Sequence, residues 1–134
     1  MQVSLDTNIW IFGILGVDAF CETILLNLAE FTVIIPDQIR AEIERNLSDD
    51  DMKQFYYFLL QYGVTIDFSP VPEALIADFE SKGLKKGDAK IGAFCEWRKV
   101  DVIVSENRDF LRGLAPDHYF EVMSAEEFCR ALGL

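Results

Sequence analysis

The segment QVSLDTNIW, residues 2–10, decides how the rest of the chain is read. Val3 and Leu5 give the alternation of a short buried strand, and the strand runs directly into Asp6, Thr7 and Asn8 before apolar residues resume at Ile9. A carboxylate just past the end of a buried strand has two readings. It caps the following helix, or it stands at the carboxyl edge of a parallel sheet, where open α/β folds bind their ligands. Further strands that end in the same way, separated by helices, favour the second reading.

The chain supplies them. TVII at 32–35 reads as a strand closed by Pro36, followed by the helix DQIRAEIERNL with Asp37 as its expected N-cap. VTIDF at 64–68 and DVIVS at 101–105 read as further strands, and YFEVM at 119–123 as the last. Between them lie helical patterns. In the segment 18–30, Asp18 is the expected cap and Phe20, Ile24, Leu25 and Leu28 form the expected inner face. The segment 49–62 opens with three acids and ends before Gly63. One helix is expected near 72–81 and another from Asp88, and the last opens with a Ser124–Glu127 capping box. NRDFLRGL at 107–114 reads as a short helix or turn. Strands alternating with helices imply a single α/β domain over residues 1–134, with a central, mostly parallel five-stranded sheet in a three-layer α/β/α arrangement.

Composition restricts the function classes. The formal net charge is −11, from 12 basic and 23 acidic residues, which argues against a passive phosphate-binding module. It leaves room for an enzyme whose carboxylates hold divalent cations and so reverse the local field. It also leaves room for a basic protein partner on an acidic surface. Cys21, Cys95 and Cys129 are scattered and lack metal-site spacing, which fits reduced thiols and a cytoplasmic protein. No apolar run approaches the roughly 18–20 residues of a membrane span, and no signal-peptide pattern opens the chain, so no membrane association is expected.

Four acids sit at comparable places: Asp6 after the first strand, Glu42 one turn into the helix after 32–35, Asp88 at a helix start behind Gly87, and Asp109 shortly after 102–104. With parallel strands, all four approach one sheet edge. Carboxylates without histidine suit hard cations such as Mg2+ or Mn2+. Such an ion relieves carboxylate repulsion, binds phosphate oxygens and activates water without a histidine base. Thr7 and Asn8 are placed to orient Asp6, and Ser105 lies at the end of a strand facing the same edge. Arg108 and Arg112 are the cations best placed to meet phosphate, ahead of the basic loop Lys82, Lys85 and Lys86. Glu44, about 200° around the helix from Glu42, faces solvent on this reading.

Together, VSLDTNIW (3–10), IIPDQIRAEIER (34–45), KGDAKIGAFCEW (86–97) and DVIVSENRDFL (101–111) resemble a PIN domain, the metal-dependent ribonuclease fold of VapC-type toxins. The resemblance runs over nearly the whole chain, including the final SAEEF helix. It implies hydrolysis of RNA phosphodiester bonds by water activated on magnesium or manganese, with Asp6, Glu42 and Asp88 as metal-site acids. The chain departs from the family at the fourth position. Asn107 stands where many relatives carry Asp, which leaves Asp109 as the replacement ligand and Asn107 as a neutral ligand or orienter. The resemblance also implies a homodimer and a possible antitoxin partner. The FYYFLL run at 55–60, apolar on all sides of a helix, points to self-association as well.

Other readings remain in view: an RNA-processing nuclease outside toxin–antitoxin systems, a non-catalytic module on the same fold, and a phosphatase or phosphoacceptor domain using Asp6 as nucleophile. The last lacks a second Asp two residues on, where Asn8 stands, and an evident site lysine.

Overall fold

The computed structural model describes residues Met1–Leu134. Five strands form one sheet: β1 (Gln2–Leu5), β2 (Thr32–Pro36), β3 (Thr65–Asp67), β4 (Val102–Val104) and β5 (Glu121–Met123). Their order is β3-β2-β1-β4-β5, and every pairing is parallel. The sheet expected to be mostly parallel is therefore wholly so. Each connection is long enough to cross over a face, so no hairpin is needed.

Seven helices complete the three layers: α1 (Thr7–Ile14), α2 (Ala19–Leu26), α3 (Asp37–Asn46), α4 (Asp49–Tyr62), α5 (Glu73–Ser81), α6 (Lys86–Trp97) and α7 (Ala125–Leu132). Helix α1 packs against α2, α3 and α4, α2 packs against α7, and α5 and α6 form a close pair. Gly92 makes that pair possible, because a Cβ there would lie 2.9 Å from Phe79 Cδ1. The core is continuous. Val3, Leu5, Ile35, Ile103 and Val104 from the sheet meet Trp10, Ile24, Phe55, Phe94 and Phe128 from the helices, all buried. No single helix is long and apolar enough to cross a membrane.

Several local readings hold. The Asp18 carboxylate caps α2 at Cys21 N, Gly63 ends α4 at φ 64°, and Ser124 and Glu127 form the capping box of α7. Others do not. Helix α1 follows β1 after a single residue and is a helix in its own right. The 18–30 helix breaks after Leu26 into a 3-10 turn at Leu28–Glu30, and Phe20 is 37% exposed rather than inward. Asp37 does not cap α3: its carboxylate accepts from Arg40 Nε at 2.7 Å, one turn on. Lys86, not Asp88, opens α6, and Asp88 lies in the first turn without capping it.

Candidate active site

The strand order places β1 between β2 and β4, and the chain leaves β1 toward one side of the sheet and returns on the other. A crevice opens at such a switch point outside the carboxyl ends of the strands. The β1–β4 register pairs Leu5 with Val104, so the next residues, Asp6 and Ser105, meet at the mouth of that crevice. The Asp6 amide donates to Val104 O at 2.9 Å, and Ser105 Oγ donates to Asp6 Oδ2 at 2.7 Å. The other carboxylate oxygen, Oδ1, accepts from Thr7 N at 2.8 Å at the start of α1. Asp6 is thus both the N-cap of α1 and the centre of a polar network.

From Asp6 the network runs two ways. Ser105 Oγ also accepts from the Asn107 amide at 3.0 Å, and Asn107 Nδ2 donates to Asp88 Oδ2 at 3.0 Å. On the other side, Glu42 Oε1 accepts from Thr7 Oγ1 at 2.7 Å and Oε2 from Gln38 Nε2 at 2.8 Å. Gly87 lies against this pair, 3.4 and 3.5 Å from Gln38 Nε2 and Glu42 Oε2 by its notional Cβ, so α6 approaches α3 closely where the acids meet. The sequence reading missed Gln38. Its spacing of four from Glu42 on one helix was the available signal.

Two of the expected roles change. Asn8 is exposed and makes no hydrogen bond to Asp6: it points off the far side of the first turn of α1, while Thr7 takes the orienting role and applies it to Glu42. Of the two candidates for the fourth position, Asn107 makes the contact. It holds Asp88 with its amide nitrogen and the Asp109 backbone N–H with its amide oxygen at 2.9 Å. Asp109 opens the π-helical turn Asp109–Gly113 and acts on Asp88 through space, as a second negative charge. Arg108 precedes this turn and Arg112 lies within it, both exposed and free of ion pairs. Lys82 is not free: it pairs with Asp78 at 3.3 Å and lies over the Phe79 ring. Glu44 faces outward and pairs with Arg40.

Electrostatics set this network apart. No lysine or arginine forms an ion pair with Asp6, Glu42, Asp88 or Asp109. Burial pushes the Asp6 carboxyl up to about 6; the Ser105 and Thr7 hydrogen bonds oppose the rise, and the charges of Glu42 and Asp88 add to it. Asp88 is raised too, chiefly by burial, with the Asn107 hydrogen bond and the charge of Lys85 opposing and Glu42 and Asp109 adding. Like charges drawn out of water are costly, and Lys85, the one cation that acts on Asp88, makes no ion pair there, so the site has room for a cation from solution. Its donors are all oxygens, as magnesium and manganese prefer. No three of the acids stand close enough together to grasp an ion directly, so an ion held here would reach some of them through its own waters. The arrangement is poor for an aspartyl nucleophile. Both Asp6 oxygens are hydrogen-bonded, the residue is 7% exposed, and no lysine accompanies it.

Comparison with known proteins bears on the fold and the family. No curated protein sequence matches the chain. A solved structure, VapBC2 from Rickettsia felis bound to a DNA fragment from the promoter of its genes, contains a chain that superposes with a TM-score of 0.67 at 18% identity, covering 92% of this chain and 100% of that one. At that identity the likeness concerns the fold. The model of the PIN domain family matches residues 3–113, a span holding all four acids, Ser105 and Asn107, and on that match the chain belongs to the PIN domain family, whose members are in general nucleases.

Proposed function

We propose that this protein is a metal-dependent ribonuclease that hydrolyses RNA phosphodiester bonds, acting as the toxin of a toxin–antitoxin pair. One observation carries the reading: three carboxylates, from the end of β1, α3 and α6, are linked through Thr7, Ser105 and Asn107 at the β1–β4 crevice, and none of them is ion-paired to a lysine or arginine. Asp6, Glu42 and Asp88 would hold Mg2+ or Mn2+, with Asp109 close enough to add charge. A bound divalent ion supplies positive charge for phosphate oxygens and lowers the pKa of a water in its shell.

The chain's own residues do the rest. Ser105 and the Thr7 amide keep Asp6 in one orientation, Gln38 and the Thr7 hydroxyl keep Glu42 in another, and Asn107 holds Asp88. Such preorganisation removes reorganisation from the reaction step. Arg108 and Arg112, exposed beside the turn that carries Asp109, meet the RNA backbone. The toxin assignment draws on the likeness to the VapBC2 complex, whose chain shares the fold. An acidic protein of charge −11 is also suited to a basic antitoxin. Self-association fits the outer side of α4, where Tyr56, Tyr57 and Leu60 are exposed while Phe55 and Leu59 fill the core. Three free, buried cysteines fit a reducing cytoplasm.

The test is cleavage of end-labelled single-stranded RNA across a magnesium titration, with manganese and calcium in parallel and Asp6→Asn as the control. Cleavage is expected with magnesium or manganese, not with calcium or in excess chelator. Full cleavage in chelator overturns the metal requirement. Metal-dependent binding of RNA without cleavage makes the chain a non-catalytic module.

A further inference from the structure

Beside the acids lies a second concave feature, a cavity of about 330 Å3 between the start of α3, the loop after β3 and one face of α6. We infer that this cavity is a nucleobase subsite of the proposed RNA substrate, in which a base stacks on Phe68 while Lys90 contacts an adjoining phosphate. The inference rests on the nuclease reading and adds where the substrate chain lies.

Four observations support it. The cavity adjoins the acid network: Gln38 lines it and also donates to Glu42 Oε2 at 2.8 Å. Gly87, Lys90 and Phe94 recur at helical spacing on α6 and so share a face. Gly87 abuts Gln38 and Glu42, while Lys90 and Phe94 line the cavity. A strand held at the acids therefore needs only one further step to reach it. Second, Phe68 is 64% exposed although it is a large aromatic on the cavity wall. The Arg40 guanidinium lies 5.6 Å from the ring centroid, and the turn that carries Phe68 is braced by Asp67 accepting from Ser69 N at 2.9 Å. An exposed, braced aromatic is the platform on which single-stranded nucleic acids stack.

Third, Lys90 is half-buried and forms no ion pair, which leaves its ammonium for an anionic ligand. Fourth, size and charge select the occupant. The volume is at the small end of ligand clefts, roughly 300–1,000 Å3, which suits one nucleotide rather than a helix. Asp37 is neutralised by Arg40, but Glu73 on the wall would repel a phosphate drawn fully inside. The base therefore enters, and its phosphate stays on the Gln38 side with Lys90.

The experiment uses the full chain. The Asp6→Asn variant, which leaves RNA intact, is irradiated in magnesium with a mixed-sequence single-stranded RNA carrying 5-iodouridine, and the crosslinked peptide is identified by mass spectrometry. In parallel, KM for RNA cleavage is measured for Phe68→Ala, Phe68→Tyr, Lys90→Ala and, as a control at another exposed aromatic, outside the cavity, Tyr119→Ala. A crosslink at Phe68 is expected, with KM raised about tenfold by Phe68→Ala, restored by Phe68→Tyr, raised several-fold by Lys90→Ala and unchanged by Tyr119→Ala. Crosslinks elsewhere with KM within twofold of the parent overturn the subsite while leaving the nuclease standing. A parent that cleaves no RNA removes the nuclease reading, and the subsite with it.

Discussion

Two aspartates end parallel strands in this sheet, two strands apart, and they have opposite surroundings. Asp67, the last residue of β3, accepts from Arg98 Nε at 2.8 Å and from the Ser69 amide. Asp6, just past β1, accepts from a hydroxyl and an amide, has no cation beside it and faces Glu42 and Asp88. In sequence they look alike, each an Asp directly after an apolar strand residue. The difference lies in the partner. Where a strand-end carboxylate meets a guanidinium its charge is neutralised and the residue fastens the fold. Where it meets only neutral donors and other acids, the charge is left for something from solution.

That contrast is best broken by exchanging the two roles experimentally. Asp6→Asn keeps shape and N-cap ability but removes the central charge; RNA cleavage is expected to fall about 100- to 1,000-fold, comparable to losing about 3–4 kcal/mol of transition-state stabilisation. Asp67→Asn is expected to leave cleavage within about threefold. An Asp67 variant as inactive as the Asp6 variant would erase the distinction.

The next largest effect is on stability against pH. The folded-state carboxyl of Asp6 is raised from 3.8 to about 6, so the fold prefers it protonated. The associated stability is complete below about pH 4 and is lost as pH rises through about 6, at about 1.4 kcal/mol for each pH unit crossed, or about 3 kcal/mol in all. Chemical denaturation of the metal-free protein between pH 4 and 8 should show this decline. Magnesium should reduce it, and Asp6→Asn should remove most of it, leaving the smaller part that the raised Asp88 carboxyl supplies. A flat profile in the parent would mean that the site is not electrostatically strained.

Asp88→Asn is expected to weaken magnesium binding, so that more magnesium is needed, and to lower cleavage at least tenfold. Capping cannot account for such a loss, because Asp88 does not cap α6. Parent-like cleavage at low magnesium would remove Asp88 from the site.

The smaller effects concern the supports. Ser105→Ala strips a donor from Asp6 and an acceptor from the Asn107 amide; about 1–2 kcal/mol of stability and about tenfold of activity should be lost, with Ser105→Thr recovering part of both. At Asp67→Asn the loss of the Arg98 pair, which is partly exposed, should cost about 1 kcal/mol or less in thermal unfolding. A larger loss there than at Ser105 would make the β3 end the more demanding of the two.

The legible part of the site followed from local chemistry. The placement of Asp6, Glu42, Asp88 and Asp109 toward one sheet edge was readable because each follows a strand or lies in the first turns of a helix, and parallel strands carry such positions to one edge. What each residue does there was less legible. Asn8 and Thr7 are adjacent and similar in kind, but the turn of α1 sends Asn8 to solvent and Thr7 to Glu42, 35 residues away. Asn107 reads as a departure from the family pattern, and it is the residue that holds Asp88, 19 residues away. Asp37 reads as a cap and Asp88 as a helix start, yet Pro36 stands in the cap position of α3 and α6 opens two residues before Asp88.

By itself, then, the sequence determined the alternation of strands and helices, the capping box at Ser124, the end of α4 at Gly63 and the family to which the chain belongs. These depend on residues a few positions apart, whose backbone preferences act before any packing. Only the tertiary structure decided the strand order β3-β2-β1-β4-β5, the meeting of Asp6 with Ser105 across 99 positions, the bond from Gln38 that ties the acids to the neighbouring cavity, and the separation of a neutralised Asp67 from an uncompensated Asp6. A carboxylate's role depends on which charges lie within a few ångströms, and the sheet register and helix packing set those distances between segments far apart in the chain.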